Sequence, residues 1–235
     1  PVLLLISDAV GSLVFTGQAL TEPDGGFQFD DVPRADGGIY ALSVDYEGVF
    51  YDNSFSFQDV LDEVQLTVYE TTQDASVVSV TRQVLVIAEV NKKDREISAI
   101  EFVGLNNSSD RTLLPTLANP EQLSFLRFAL PLEAEELNVR SNLPGGDIVS
   151  IGTGFALTSA VLPGEHNLEF SFRFPYTGDS VSYRQSLPQG ADVYQVLVPQ
   201  RLALVEVRPL RPIPSIGIEG SEFRAWEERG FERGQ

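Results

Sequence analysis

The sequence predicts an all-β fold of two consecutive β-sandwich domains, and three observations carry that expectation. Apolar side chains recur with a period of two through most of the chain, the mark of half-buried strands. Clusters of Gly, Pro, Asp and Asn interrupt these runs roughly every ten residues, the turn spacing of a sandwich. Helical periodicity is confined to two short stretches, "NPEQLSF" at 119–125 and "SEFRAWEERGFE" at 221–232.

In chain order, "PVLLLI" enters directly as a strand. The turn Asp24-Gly25-Gly26 leads to Phe27 and Phe29, which share one face of the next strand. A second turn, "PRADGG" at 33–38, leads into "YALSVDYEGVFY" at 40–51. "SFSF" at 54–57 and "VQLTVYE" at 64–70 alternate likewise. This sets a first domain at 1–72, with Phe27, Phe29, Tyr40, Leu42 and Val44 in its core. The polar stretch "ETTQDAS" at 70–76 separates it from a second domain at 76–207. That domain starts with a long strand, "VVSVTRQVLVIAEV" at 77–90, and a polar turn, "NKKD". About seven further alternating runs follow, a count that suits a sandwich. Val84, Val86, Phe170, Phe172 and Phe174 are its expected core. Residues 208–235 read as a proline-rich linker and a charged tail or final strand, and "PSIGIEGSEF" at 214–223 reads as a strand available for donation.

The segment "TEPDGGFQFDDVP", followed by "YALSVDYEGVFY", resembles the carboxypeptidase regulatory-like domain, a small prealbumin-type (transthyretin-like) sandwich of bacterial exported proteins. Thr21, Asp24, Gly26, Phe27, Phe29, Pro33, Tyr40, Leu42, Val44 and Gly48 occupy the family's pattern positions, and the resemblance covers residues 1–72. It implies a module without catalytic residues. The family's leading strand, which carries a Gly-x-Val pattern, has no counterpart here. The expectation is an open sheet edge, covered by an upstream segment or another chain. The second domain resembles the immunoglobulin-like sandwich that follows such modules in uncharacterised envelope proteins, most clearly in "LPGEHNLEFSFRFPYTG" at 162–178. In that layout a hydrophobic anchor follows shortly afterwards, so membrane attachment is expected only through a segment beyond Gln235.

Composition narrows the function. Apolar residues make up 43% of the 235, enough to build cores. The formal net charge is −18, from 34 acidic and 16 basic residues, which disfavours nucleic acid and anionic lipid as partners. No cysteine is present, which excludes disulfides, thiolate metal sites and cysteine nucleophiles. The chain opens on Pro1 and holds no methionine, so it is expected to be a processed or truncated piece. "PVLLLI" is too short, and lacks the positive flank, for a signal peptide.

Several groups bear on chemistry. His166 is the sole histidine, and no G-x-S-x-G or H-E-x-x-H motif accompanies it. Glu133, Glu135 and Glu136 are a carboxylate cluster, but "PLEAEEL" reads as a solvated turn. No cofactor is expected, with calcium the one metal considered, because it needs only oxygen ligands. Its ligands would be Asp24, Asp30, Asp31 and Asp36; Asp59, Asp62 and Glu63 form a second acidic group. "NNSSD" holds two overlapping glycosylation acceptors, Asn106 and Asn107. Tyr176, Tyr183 and Tyr194, with Trp226, are the aromatic side chains that a sugar-stacking surface would use.

The expected function is therefore a non-enzymatic, extracytoplasmic structural or interaction subunit of a bacterial cell envelope or surface assembly. Its partners would be other protein subunits, including copies of itself, joined by β-strand augmentation. The alternative is a carbohydrate-binding or adhesin module. A hydrolase using paired carboxylates is the third reading.

Overall fold

The computed structural model of the chain describes residues 1–56, 63–116, 124–178, 183–202, 205–218 and 220–234. The fold is all-β, with no α-helix among the described residues. It divides into two compact units, Pro1–Thr71 and Thr72–Gln235.

Unit 1 is built on one antiparallel sheet. Its strands are β1 (Val2–Ser7), β2 (Leu13–Ala19), β3 (Ile39–Tyr46) and β4 (Val49–Ser56), ordered β2-β1-β3-β4. Period-two patterning puts Val2, Leu4, Ile6, Tyr40 and Leu42 on one face, where they form the core. The run read as one alternating stretch is a hairpin. Glu47 and Gly48 both take positive φ, the geometry of a two-residue turn that matches strand twist. The Asp24-Gly25-Gly26 turn forms as its residues dictate: Gly25 has φ 87° and the Asp24 carboxylate accepts from Gly26 N–H at 2.9 Å. Phe27 and Phe29 do pack on the core, half-buried, but from a loop rather than a strand. The Tyr40 hydroxyl holds the next loop, donating to Pro33 C=O and accepting from Ala35 N–H, each at 2.9 Å. Residues 64–70 likewise belong to no strand; Gln65 C=O accepts from the Asn53 side chain and Tyr69 C=O from the Tyr51 hydroxyl.

The short β5 (Thr71–Thr72) lies at the division. Unit 2 continues with β6 (Val78–Asn91), β7 (Glu96–Asn107), β8 (Thr112–Leu113), β9 (Leu126–Ala129), β10 (Glu135–Ser141), β11 (Ile148–Ser150), β12 (Gly154–Leu157), β13 (Gly164–Pro175), β14 (Ala191–Pro199), β15 (Arg211–Ile218) and β16 (Ser221–Phe231). Seven of these make one sheet, ordered β10-β13-β7-β6-β14-β16-β15. A smaller sheet is ordered β11-β12-β9. The main core cluster takes side chains from both sheets. An aromatic chain joins them: Phe128 of β9 lies 5.5 Å from Phe155 of β12, which meets Phe170 of β13 edge-on at 5.0 Å. Phe172 and Phe174 extend it along β13. Such edge-to-face pairs add to what area burial alone contributes.

Three further expectations need correcting. Val84 and Val86 do not join the main core. A β-bulge between Val80 and Arg82 sets Thr81 and Arg82 together opposite Gly104, so alternation restarts one residue later. Gln83 and Leu85 then face inward, while Val84 and Val86 pack with Leu197, Phe223 and Ala225 in a separate cluster. The second correction concerns the C-terminal segment. Of the two alternatives for 208–235, the final strand holds and the linker with a tail does not: residues 211–231 are the last hairpin of the seven-stranded sheet, and the expected donor strand is spent within its own unit. Third, the helix candidate at 221–232 coincides with strand β16. Of the other helix candidate, residues 119–123 lie outside the described residues, as do Asp59 and Asp62 of the second acidic group.

Candidate functional site

Four neighbouring strands, β10, β13, β7 and β6, form the floor of an open groove of about 490 Å³ on the sheet face opposite the main core cluster. Registry builds it in two rows. Arg140, Glu169, Phe102 and Val84 are successive cross-strand partners in one row. Asn167, Gly104 and Arg82 are successive partners in the next, and Asn142 extends that row, its side-chain oxygen accepting from Asn167 N–H at 2.9 Å. Partners one strand apart share a face, so all of these project into the groove.

The bulge on β6 matters locally. It turns Arg82 outward, and the Thr81 hydroxyl donates to Gly104 C=O at 3.2 Å. A Cβ at position 104 would come within 2.9 Å of that hydroxyl oxygen, so glycine there gives the bulge its room and leaves the groove floor bare. Phe102 is 44% exposed, which is high for an aromatic at the centre of a seven-stranded sheet. Among the described residues, the guanidiniums of Arg82 and Arg140 make no ion pair or hydrogen bond. The carboxyl of Glu227, held low chiefly by its bonds from Arg229 and Gln195, feels the Arg82 charge only as the last of its influences. In a protein with 34 acidic residues, two such guanidiniums in one groove are notable.

Beneath the floor lies the inverse arrangement. Glu101, the chain neighbour of Phe102, points into the core and is fully buried. Gln83 donates a hydrogen bond to one of its carboxylate oxygens; the other, Oε1, has no partner among the described residues, nor has the buried Tyr194 hydroxyl. Burial drives the Glu101 pKa up to about 8, against the smaller opposing effect of the Gln83 bond. The Tyr194 and Tyr183 hydroxyls are likewise shifted upward, first by burial and then by the Glu101 charge.

The residues picked out from sequence fall elsewhere. Asp24, Asp30 and Asp36 engage separate local partners: Gly26 N–H, Gln28 and Arg34. Asp31 takes positive φ in the same loop. Among the described residues, no three His, Asp or Glu side chains form a group that could hold a metal ion. Asn107 is 1% exposed and all its side-chain bonding is internal. It donates to Arg111 C=O at 2.8 Å and Val161 C=O at 2.9 Å, and accepts from Ser109. In the folded unit it is closed to glycosylation; it clamps the turn after β7. Asn106 is half-buried on the opposite face of that strand. Tyr194 belongs to the core, and Tyr176, Tyr183 and Trp226 pack half-buried against it, so the four build no exposed aromatic surface. His166 binds Leu162 C=O through Nε2 at 2.7 Å, and Glu136 pairs with Arg173 at 3.1 Å.

Sequence reading missed Arg82, Phe102, Arg140, Asn142, Asn167 and Glu169. One signal was present. In "EISAIEFVGLN" strict alternation sets Ile97, Ala99, Val103 and Leu105 on one face, and that face also contains Glu101. An acid among the core positions and a phenylalanine among the solvent positions is an inversion that marks the place.

No family model matches this sequence, and no curated protein matches it. Among solved structures, an M1 zinc metallopeptidase from Deinococcus radiodurans is similar at TM-score 0.39 and 11% identity, over 65% of this chain and 39% of that one. A variant of that enzyme bound to a Tyr-Ser-Ala substrate is similar at TM-score 0.38 and 9% identity, over 64% and 39%. A two-domain M1 zinc metallopeptidase variant bound to L-arginine gives 0.39 and 10%, over 65% and 39%. The chain thus spans about two-fifths of the length of these neighbours. At this level of similarity neither a peptidase family nor a peptidase activity transfers to it.

Proposed function

We propose that the chain is a non-enzymatic, extracytoplasmic binding subunit of a bacterial cell-envelope or surface assembly, and that its partner seats in the groove of unit 2. The observation that carries this reading is the groove itself. An exposed aromatic ring, two guanidiniums outside any ion pair, two amides and a carboxylate converge on the face opposite the main core cluster. The extracytoplasmic setting rests on the resemblance of residues 1–72 to the carboxypeptidase regulatory-like module. Absence of cysteine is compatible with either compartment and adds nothing.

The experiment is co-sedimentation of the purified chain with an isolated bacterial envelope fraction. Wild type should be retained and the Phe102→Ala variant released, with both melting at the same temperature. Equal retention of the two proteins would remove the groove from the account.

Assembly with a second copy is a further reading, favoured by β2. This is an edge strand of the unit 1 sheet, with Leu13 and Val14 at least half exposed. Sedimentation velocity at rising concentration tests it: growth that a Val14→Lys change abolishes supports pairing at this edge, and a concentration-independent monomer contradicts it.

A further inference from the structure

We propose that the groove takes an acidic polysaccharide, a polyuronate-like glycan, with one sugar ring laid on Phe102 and its carboxylates met by Arg82 and Arg140. This rests on the binding role above and names its ligand.

Three features of the groove select that class. The first is the ring. Phe102 presents an apolar face at the centre of the floor, flanked across the strands by Glu169 and Val84. A pyranose has an apolar face of C–H groups with hydroxyls around its rim, and such a body fits a flat aromatic surrounded by polar groups. Glu169 can accept from those hydroxyls, and the Asn142 and Asn167 amide groups can donate to them. Gly104, without a side chain, lets the ring settle beside Phe102.

The second feature is local charge: the net charge of −18 repels a polyanion at long range, salt screens that repulsion beyond about 8 Å, and what favours an acidic ligand is direct contact with two guanidiniums in the groove. Arg82 and Arg140 keep their guanidiniums out of ion pairs, although carboxylates are abundant on this protein. Guanidinium forks bind carboxylates in a bidentate manner. The two arginines stand on β6 and β10, three strand spacings apart, so their backbones are separated by roughly 14 Å. That span suits an extended chain with repeated acidic groups better than one small anion.

The third feature decides between a glycan and an acidic peptide. Peptides that bind sheets as strands do so at an edge, through unpaired backbone groups. This groove lies across the face of four strands whose backbone bonds run in the plane of the sheet; β10 is an edge strand, but its unpaired side faces outward in that plane and not into the groove. A peptide would have only side-chain contacts here, whereas a sugar ring needs no ladder.

The test is calorimetric titration of the whole chain with oligogalacturonate, size-matched neutral maltooligosaccharide and short polyglutamate. Oligogalacturonate should bind, and binding should weaken by at least about tenfold for Arg82→Gln combined with Arg140→Gln, given the strength of charge-assisted bonds. Phe102→Ala should weaken it likewise. All three positions are on the solvent face, and unchanged melting temperatures establish that the variants fold. Equal binding of maltooligosaccharide, or oligogalacturonate binding indifferent to the arginines, would overturn the acidic class. Equal binding of polyglutamate would overturn the glycan. If no oligosaccharide binds while Phe102 still governs retention on the envelope fraction, the ligand class fails and the binding role stands. If retention is also lost, both fail.

Discussion

Glu101 is where the chemistry of a single residue has the plainest consequence. In the unfolded chain its carboxyl ionises near the ordinary 4.5; in the fold it keeps its proton up to about 8. Between these values the unfolded chain releases the proton more easily than the native one. Stability from this group is therefore fully present below 4.5, falls as pH rises through the window, and levels off above 8. Every tenfold change in proton affinity corresponds to about 1.4 kcal/mol, so the loss across the window amounts to several kcal/mol. Glu101→Gln keeps the acceptor for Gln83 and cannot ionise. Denaturant titrations should show the variant clearly more stable than the parent about half a pH unit above the window and close to it at the window's lower end. An unaltered pH slope would contradict the burial account. Asn107 gives a second residue-level expectation. Asn107→Ala removes the partners of two carbonyls and of the Ser109 groups at a buried site, which should cost about 1–3 kcal/mol in denaturant titrations. An unchanged midpoint would mean that water replaces the clamp without cost. Both residues were visible in the sequence, but only Glu101 carried a readable sign: its place in the alternation of β7. Asn107 read as an exposed acceptor because local sequence does not reveal that its turn folds beneath Val161.

At the scale of elements, alternation was a good guide wherever strands run without interruption. It located β3, β7 and β13 and the buried Phe170, Phe172 and Phe174. Phe172→Ala should cost about 3–5 kcal/mol in a thermal or denaturant melt, since it removes a buried ring packed between Phe170 and Phe174 and leaves a cavity in the main core. A melt equal to the parent's would put that strand in another register. Alternation failed at the first β6 bulge, because one extra residue reverses the side chains from Arg82 up to the second bulge at Ile87–Glu89, and the sequence marks it only by the adjacent polar pair Arg82-Gln83. The groove depends on that reversal. The C-terminal hairpin was misread for a different reason. Three prolines among residues 208–214 suggest a linker, yet β15 is an edge strand, where missing N–H donors are tolerated. Ending the chain after Pro209 would strip β16 from β14 and uncover Leu197. Such a truncation should aggregate or lose its cooperative melt; a stable monomer would show that β15 and β16 are dispensable.

For the whole molecule, the two units have separate core clusters, one within 1–71 and two within 72–235. The second unit expressed alone should therefore fold. It should also keep the groove's affinity, since every groove residue belongs to it. The all-β class followed from composition and patterning. The binding face did not, because its members are scattered over four strands between residues 82 and 169 and meet only through sheet order. The central claim is that this face is where the protein works, and backbone amide chemical-shift mapping with a solubilised envelope glycan fraction tests it most directly. The account predicts shifts concentrated at Arg82, Val84, Phe102, Gly104, Arg140, Asn142, Asn167 and Glu169. Shifts confined to the edge strand β2, or none at saturating glycan, would contradict it.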